Sequence, residues 1–208
     1  MTARPRRSCL YMPGANAKAL EKAKTLPTDV LLLDLEDSVA PEAKDAARDQ
    51  VAAAVKAGGY GKREVIVRVN GLATPWGRND IVAAGIARPE GILAPKVESG
   101  EQVRALDGEM TKAGFAAAAS LWVMIETPRA ILNLADIAAA AHGTRLSVFV
   151  MGLNDLAKET RARAGASRAA FYAPMSLAVT AARAAGIAVI DGVYNDIADS
   201  AGFEAECR

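Results

Sequence analysis

Short apolar runs recur along the chain, and each gives way to a polar or turn-forming residue and then to a segment with helical periodicity. Ser8–Met12 (SCLYM), Val30–Leu33 (VLLL), Val65–Val69 (VIVRV) and Gly91–Ala94 (GILA) read as the first four strands. The run opening at Leu121 (LWVMI), Ser147–Met151 (SVFVM) and Ile187–Ile190 (IAVI) supply three more. These runs are continuously apolar rather than alternating, the mark of strands buried on both faces of a parallel sheet. Between them the spacing predicts helices over Ala15–Leu26, with Asn16 as N-cap, and over Pro41–Ala57, ended by Gly58-Gly59. Further helices are predicted over Asp80–Arg88, Glu98–Ala113 (closed by Gly114), Pro128–Ala141, Pro174–Ala185 and Asp199–Cys207. A polar, Arg-rich segment, Lys158–Arg168, separates the sixth strand from the Pro174 helix.

Seven strand–helix alternations argue a parallel sheet with helices outside it. The fold predicted is an α/β, (β/α)8 TIM barrel lacking its eighth strand, because complete barrels usually need about 250 residues. A doubly wound open sheet is the alternative. No strand is followed by a GxGxxG loop and no GxxxxGK(S/T) occurs, so dinucleotide-binding and P-loop readings lose their main support. The 208 residues form one domain, 1–208.

Balanced charge, 25 basic against 24 acidic residues, implies no basic face and hence no nucleic-acid partner. No stretch approaches the roughly 20 apolar residues of a membrane span. The basic start MTARPRR is followed by no apolar run of secretory length and reads as a solvated arm. Cys9 and Cys207 lie near opposite ends and read as reduced thiols of a cytoplasmic protein. The single histidine, His142, ends a helix as a capping or surface residue, which argues against a histidine-based triad or a zinc site.

The chemistry is expected at the strand tips, which converge on one mouth in a barrel. In LWVMIETPRA, Leu121–Ala130, a buried strand ends in Glu126, then in the N-cap type Thr127 and in Pro128, preset for a first helical turn. The other tips bring Glu36 and Asp37 (with Asp34, three carboxylates in four residues), Arg68, Lys96, Asp155 and Asp191. Glu126 and Asp155 are hard oxygen donors suited to Mg²⁺, which takes a couple of carboxylates and completes its sphere with water and substrate. Arg68 presents a rigid fork suited to a carboxylate. Together they imply an anionic substrate, a 2-oxo or 2-hydroxy acid, with metal and Arg68 steadying an enolate or alkoxide. The bland alternative is a Glu126–Arg68 salt bridge and nothing else.

RSCLYMPGAN (Arg7–Asn16), LDLEDSVAPEAK (Leu33–Lys44), VRVNGLATPWG (Val67–Gly77), APKVES (Ala94–Ser99), MIETPRA (Met124–Ala130) and GLNDLA (Gly152–Ala157) resemble the citrate lyase β-subunit-like proteins of the HpcH/HpaI aldolase family, of malyl-CoA or citramalyl-CoA lyase type. The resemblance implies a Mg²⁺-dependent carbon–carbon lyase acting on a 3-hydroxyacyl-CoA, releasing an acyl-CoA and a 2-oxo acid such as glyoxylate or pyruvate. Carried over by motif, Glu126 and Asp155 are the metal ligands. Arg68 binds the substrate carboxylate or carbonyl oxygen, and Glu36 and Asp37 orient the metal's waters and relay protons. Backbone N–H groups around Gly152, Leu153 and Asn154 hold the 2-oxo acid carboxylate at a helix N-terminus. The Pro13-Gly14 loop borders the CoA entrance, and Lys96 partners the Glu36/Asp37 cluster. Relatives continue into an eighth strand and a C-terminal segment that carries a catalytic acid/base group and covers a neighbouring subunit's site. The expectation is therefore a C-terminally truncated barrel of a homo-oligomer, trimer or hexamer. The other readings are a citrate lyase β subunit using an acyl-carrier-protein thioester, a CoA-independent 2-oxo acid aldolase, and a non-catalytic metal or acid binder.

Overall fold

In the computed structural model, which describes residues 4–163 and 168–208, seven parallel strands lie side by side in the order in which the chain makes them. They are β1 (Cys9–Pro13), β2 (Val30–Asp34), β3 (Glu64–Arg68), β4 (Gly91–Ala94), β5 (Ser120–Ile125), β6 (Leu146–Met151) and β7 (Ala188–Ile190). A doubly wound sheet reverses its strand order at a switch point. Here the order never reverses, and the sheet curls into a partial (β/α) barrel with β1 and β7 at its edges.

Alternation along each strand divides the core in two. Val30 and Leu32, Ile66, Leu93, Trp122 and Met124, and Val148 and Val150 face inward and pack together, with Tyr11 and Ile190 against them. The intervening residues, such as Leu31, Leu33, Val67, Ile92, Val123 and Phe149, face outward under the helices. Those helices are α1 (Ala17–Ala23), α2 (Lys44–Ala57), α3 (Gly77–Ala87), α4 (Gly100–Lys112), α5 (Pro128–Leu132), α6 (Leu134–Ala139), α7 (Leu153–Thr160), α8 (Tyr172–Ala185) and α9 (Ser200–Cys207). The expected N-cap Asn16 is in place, its side chain accepting from Ala19 N at 3.1 Å.

Two helical expectations need correction. The helix expected over Pro128–Ala141 is two short helices, α5 and α6. Asn133 breaks it with a non-helical backbone (φ −106°, ψ 13°), and its side-chain amide donates to Glu98 O at 2.8 Å. Periodicity places no helix between β6 and Pro174, yet the chain leaving β6 enters α7 at once, at the helix N-terminus that the family resemblance implies. Within the Lys158–Arg168 segment, residues 164–167 lie outside the described residues, as do Met1–Ala3 of the basic arm. Among the described residues no helix is long and apolar enough to cross a membrane. Cys9 and Cys207 are unpaired, and His142 is exposed.

Candidate active site at the strand tips

Inward parity carries past the apolar layer to polar residues at the strand ends. Val30 and Leu32 lead to Asp34, Ile66 leads to Arg68, and Trp122 and Met124 lead to Glu126. Asp34 and Arg68 are register partners in adjacent strands. The guanidinium meets the carboxylate bidentately, Nε to Oδ1 at 2.7 Å and Nη2 to Oδ2 at 2.8 Å. Its remaining nitrogen, Nη1, lies 2.8 Å from Glu36 Oε2 and 3.0 Å from Asp37 Oδ2, and the group stacks 4.8 Å from the Tyr11 ring centre. Arg68 does not pair with Glu126, so the simple salt-bridge alternative does not describe this site.

Asp34 also shapes the loop that follows it. Its Oδ1 accepts from Glu36 N at 2.8 Å and its Oδ2 from Ser38 N at 3.0 Å. From outside, the buried Lys44 ammonium donates to Leu35 O at 2.8 Å and Glu36 O at 2.6 Å. One carboxylate thus fixes both Arg68 and the backbone presenting Glu36 and Asp37. Burial alone would raise the Asp34 carboxyl, but the bonds and charge of Arg68 outweigh it and hold the group below the ordinary aspartate value. Burial raises Glu36, with Asp37 adding to the effect and Arg68 and Lys96 opposing it.

Glu126 is 2% exposed at the end of β5. Its Oε1 accepts from Lys96 N at 2.7 Å, and Lys96 offers that N–H from a left-handed backbone, φ 52°. Its Oε2 has no hydrogen-bond partner among the described residues. Burial pushes the Glu126 carboxyl up to about 7; the Lys96 N–H opposes this, and Glu36 and Asp155 reinforce it. Asp155, in the first turn of α7, is partly exposed and pairs with the Lys96 ammonium at 3.5 Å, which also lies 3.6 Å from Glu36 Oε1. Burial would lower Lys96, but Glu36, Asp155 and Glu126 outweigh it and raise the group.

Arg68, Glu126, Asp155, Asp37, Leu153 and Asn154 line one end of an open cavity of about 1110 Å³ that also reaches Ser8 and Thr28 at the far ends of β1 and β2. Glu36 reaches this group through Arg68 and Lys96. Three expected roles change. The fork of Arg68 is taken by Asp34 and its Nη1 by Glu36 and Asp37, so a substrate oxygen reaches Nη1 only in place of one of these carboxylates. Gly152 N donates to Ile125 O at 3.0 Å and is not free for a carboxylate; the next amides without a partner among the described residues belong to Leu153 and Asn154. Gly152 serves by lacking a side chain, since a Cβ there would stand 2.4 Å from Glu126 Cβ and 2.5 Å from its Oε2. Pro13 does not line the cavity; its loop is tied to β2 through Gly14 N to Asp34 O at 2.8 Å. Asp191 is bound by Arg168, with Nη1 to Oδ2 at 2.8 Å. Asp34 and Tyr11 join the site with no role expected from the sequence, although inward parity through Val30 and Leu32 points at Asp34.

Among the described residues no three His, Cys, Asp or Glu side chains gather at metal-ligand spacing. Glu126 and Asp155 nevertheless fit a hard divalent cation. Both are oxygen donors, one oxygen of Glu126 is unpartnered, and burial beside other carboxylates leaves Glu126 short of positive charge.

A profile of the HpcH/HpaI aldolase/citrate lyase family matches residues 7–208. A (3S)-malyl-CoA thioesterase of Cereibacter sphaeroides is 46% identical over 206 residues, 99% of this chain and 69% of that protein. An L-malyl-CoA/beta-methylmalyl-CoA lyase of the same species is 33% identical over 231 residues, 99% of this chain and 72% of that protein. The crystal structure of protein CitE from Mycobacterium tuberculosis, in complex with magnesium, acetoacetate and coenzyme A, superposes with a TM-score of 0.80 at 29% identity, covering 97% of this chain and 72% of that one.

Proposed function

The chain belongs to the HpcH/HpaI aldolase/citrate lyase family, and from that premise we propose that it is a magnesium-dependent enzyme acting on a 3-hydroxyacyl-CoA of the malyl-CoA type. The reaction proposed is reversible Claisen cleavage to an acyl-CoA and a 2-oxo acid. The observation that carries it is the convergence of Arg68, Glu126 and Asp155 on one cavity, with Glu126 offering an unpartnered oxygen. Malyl-CoA is named for both the thioesterase and the lyase relatives, and the solved relative holds magnesium and coenzyme A.

Glu126 and Asp155 would hold the ion. When bound, Mg²⁺ would supply Lewis-acid stabilisation for the substrate hydroxyl oxygen as it gives up its proton, before the carbon–carbon bond breaks. The protein does the rest. Asp34 locks Arg68 in place, and a substrate oxygen would take the position on Nη1 that the exposed Asp37 carboxylate holds. Glu36 lies beside Arg68 Nη1 and within reach of Lys96; burial raises its proton affinity, which suits it to carry a proton. The Leu153 and Asn154 amides at the start of α7 receive the carboxylate of the 2-oxo acid half.

Thioester hydrolysis is the second reading, favoured by the 46% identity to a thioesterase. Products separate the two. Incubation with malyl-CoA and Mg²⁺ is expected to release glyoxylate and acetyl-CoA; malate and free CoA would establish hydrolysis instead. Citrate cleavage from an acyl-carrier thioester, with no turnover of CoA esters, would replace both with a citrate lyase β role.

A further inference from the structure

Lys96 contributes two groups to the site, and they do different work. Its backbone N–H holds Glu126 Oε1 at 2.7 Å. Its ammonium bridges Glu36 Oε1 at 3.6 Å and Asp155 Oδ2 at 3.5 Å, ion-pair rather than hydrogen-bond distances. The side chain is 50% exposed and Lys44, the other nearby ammonium, is committed to backbone carbonyls, so Lys96 is free to swing into solvent without opening a void.

We propose that the Lys96 ammonium is a displaceable counter-ion of the acidic mouth, holding Glu36 and Asp155 together until a divalent cation binds and then moving aside, while its backbone N–H keeps Glu126 fixed throughout. The inference rests on the metal-dependent reading above and adds the group that competes with the ion. A divalent cation between Glu126 and Asp155 would meet a like charge already paired with Asp155, and like charges a few ångströms apart repel strongly even at an intermediate dielectric. Partial exposure moderates that repulsion. The cost of displacing Lys96 therefore appears as weakened affinity for the ion.

The experiment is Mn²⁺ binding, followed by the loss of the free-ion electron paramagnetic resonance signal, on purified protein without substrate. Lys96→Met and Lys96→Gln remove the charge and keep the backbone N–H; Lys96→Arg keeps both. The neutral variants are expected to bind Mn²⁺ roughly 3- to 10-fold tighter than the wild type, and Lys96→Arg within about twofold of it. Wild-type binding that Glu126→Gln abolishes, with affinity unchanged or weakened in both neutral variants, overturns the counter-ion role and leaves the metal reading intact. Absence of binding in every variant, each folded by circular dichroism, overturns the metal reading and this inference with it.

Discussion

Arg68 and Asp34 stand opposite each other in adjacent parallel strands, and the guanidinium grips the carboxylate through Nε and Nη2 at 2.7 and 2.8 Å. Both groups are buried, so the pair orients the site more than it stabilises the fold. Removing one partner leaves a charge in the interior, which costs about 3–5 kcal/mol. Asp34→Ala is expected to lower unfolding free energy by that order in urea titrations. Arg68→Met combined with Asp34→Leu should recover part of the stability, because Glu36 N and Ser38 N still lose their acceptor, and none of the activity. Equal losses in the single and double variants would mean that the pair matters for packing alone.

Acid should act on the same pair. Asp34 is held below its ordinary value in the folded protein, so the unfolded chain binds the proton first. The stability this contributes is complete above about pH 4 and is lost as pH falls below it toward the folded-state value. Asp34→Asn should flatten the acid limb of a stability–pH profile. An unchanged limb would place acid sensitivity elsewhere.

Gly152→Ala tests the clearance around Glu126. The added Cβ meets Glu126 Cβ at 2.4 Å, and backbone there has little room to yield. Overpacking of this kind costs about 1–3 kcal/mol, yet activity should fall far more, by about 100-fold, because Glu126 must move from its place. Thermal melting and steady-state kinetics on one preparation compare the two. A parallel, modest loss in both would remove the special role of Gly152.

Most of the scaffold is legible in the sequence because buried parallel strands are continuously apolar and end abruptly: LWVMI stops at Glu126, and VLLL stops at Asp34. Those endings identify Glu126, Arg68, Lys96 and Asp155 as mouth residues. What stays hidden depends on partners far away in the chain. Arg68 reads as free for substrate until its register with Asp34 is known. Gly152 reads as an anion-binding amide until its N–H is seen on Ile125 O and its Cα against Glu126. The backbone half of Lys96 is invisible, because nothing in APKVES announces a left-handed residue.

The two thiols should separate by reactivity. Burial, with Glu64 adding to it, pushes the Cys9 thiol up to about 11, whereas Cys207 is exposed. At pH 8 the native protein should show one fast thiol toward iodoacetamide and one slow; the slow one should gain thiolate only as pH approaches 11. Unfolding should make them equal. Two equally fast native thiols would contradict the partial burial of Cys9.

The most direct measurement is malyl-CoA turnover in wild type and Glu126→Gln, each with Mg²⁺ and after chelation. The account requires turnover in the wild type that chelation stops and Mg²⁺ restores, and its loss in Glu126→Gln at every Mg²⁺ concentration while the fold persists. Turnover that survives both chelation and the substitution would contradict a metal centre at Glu126.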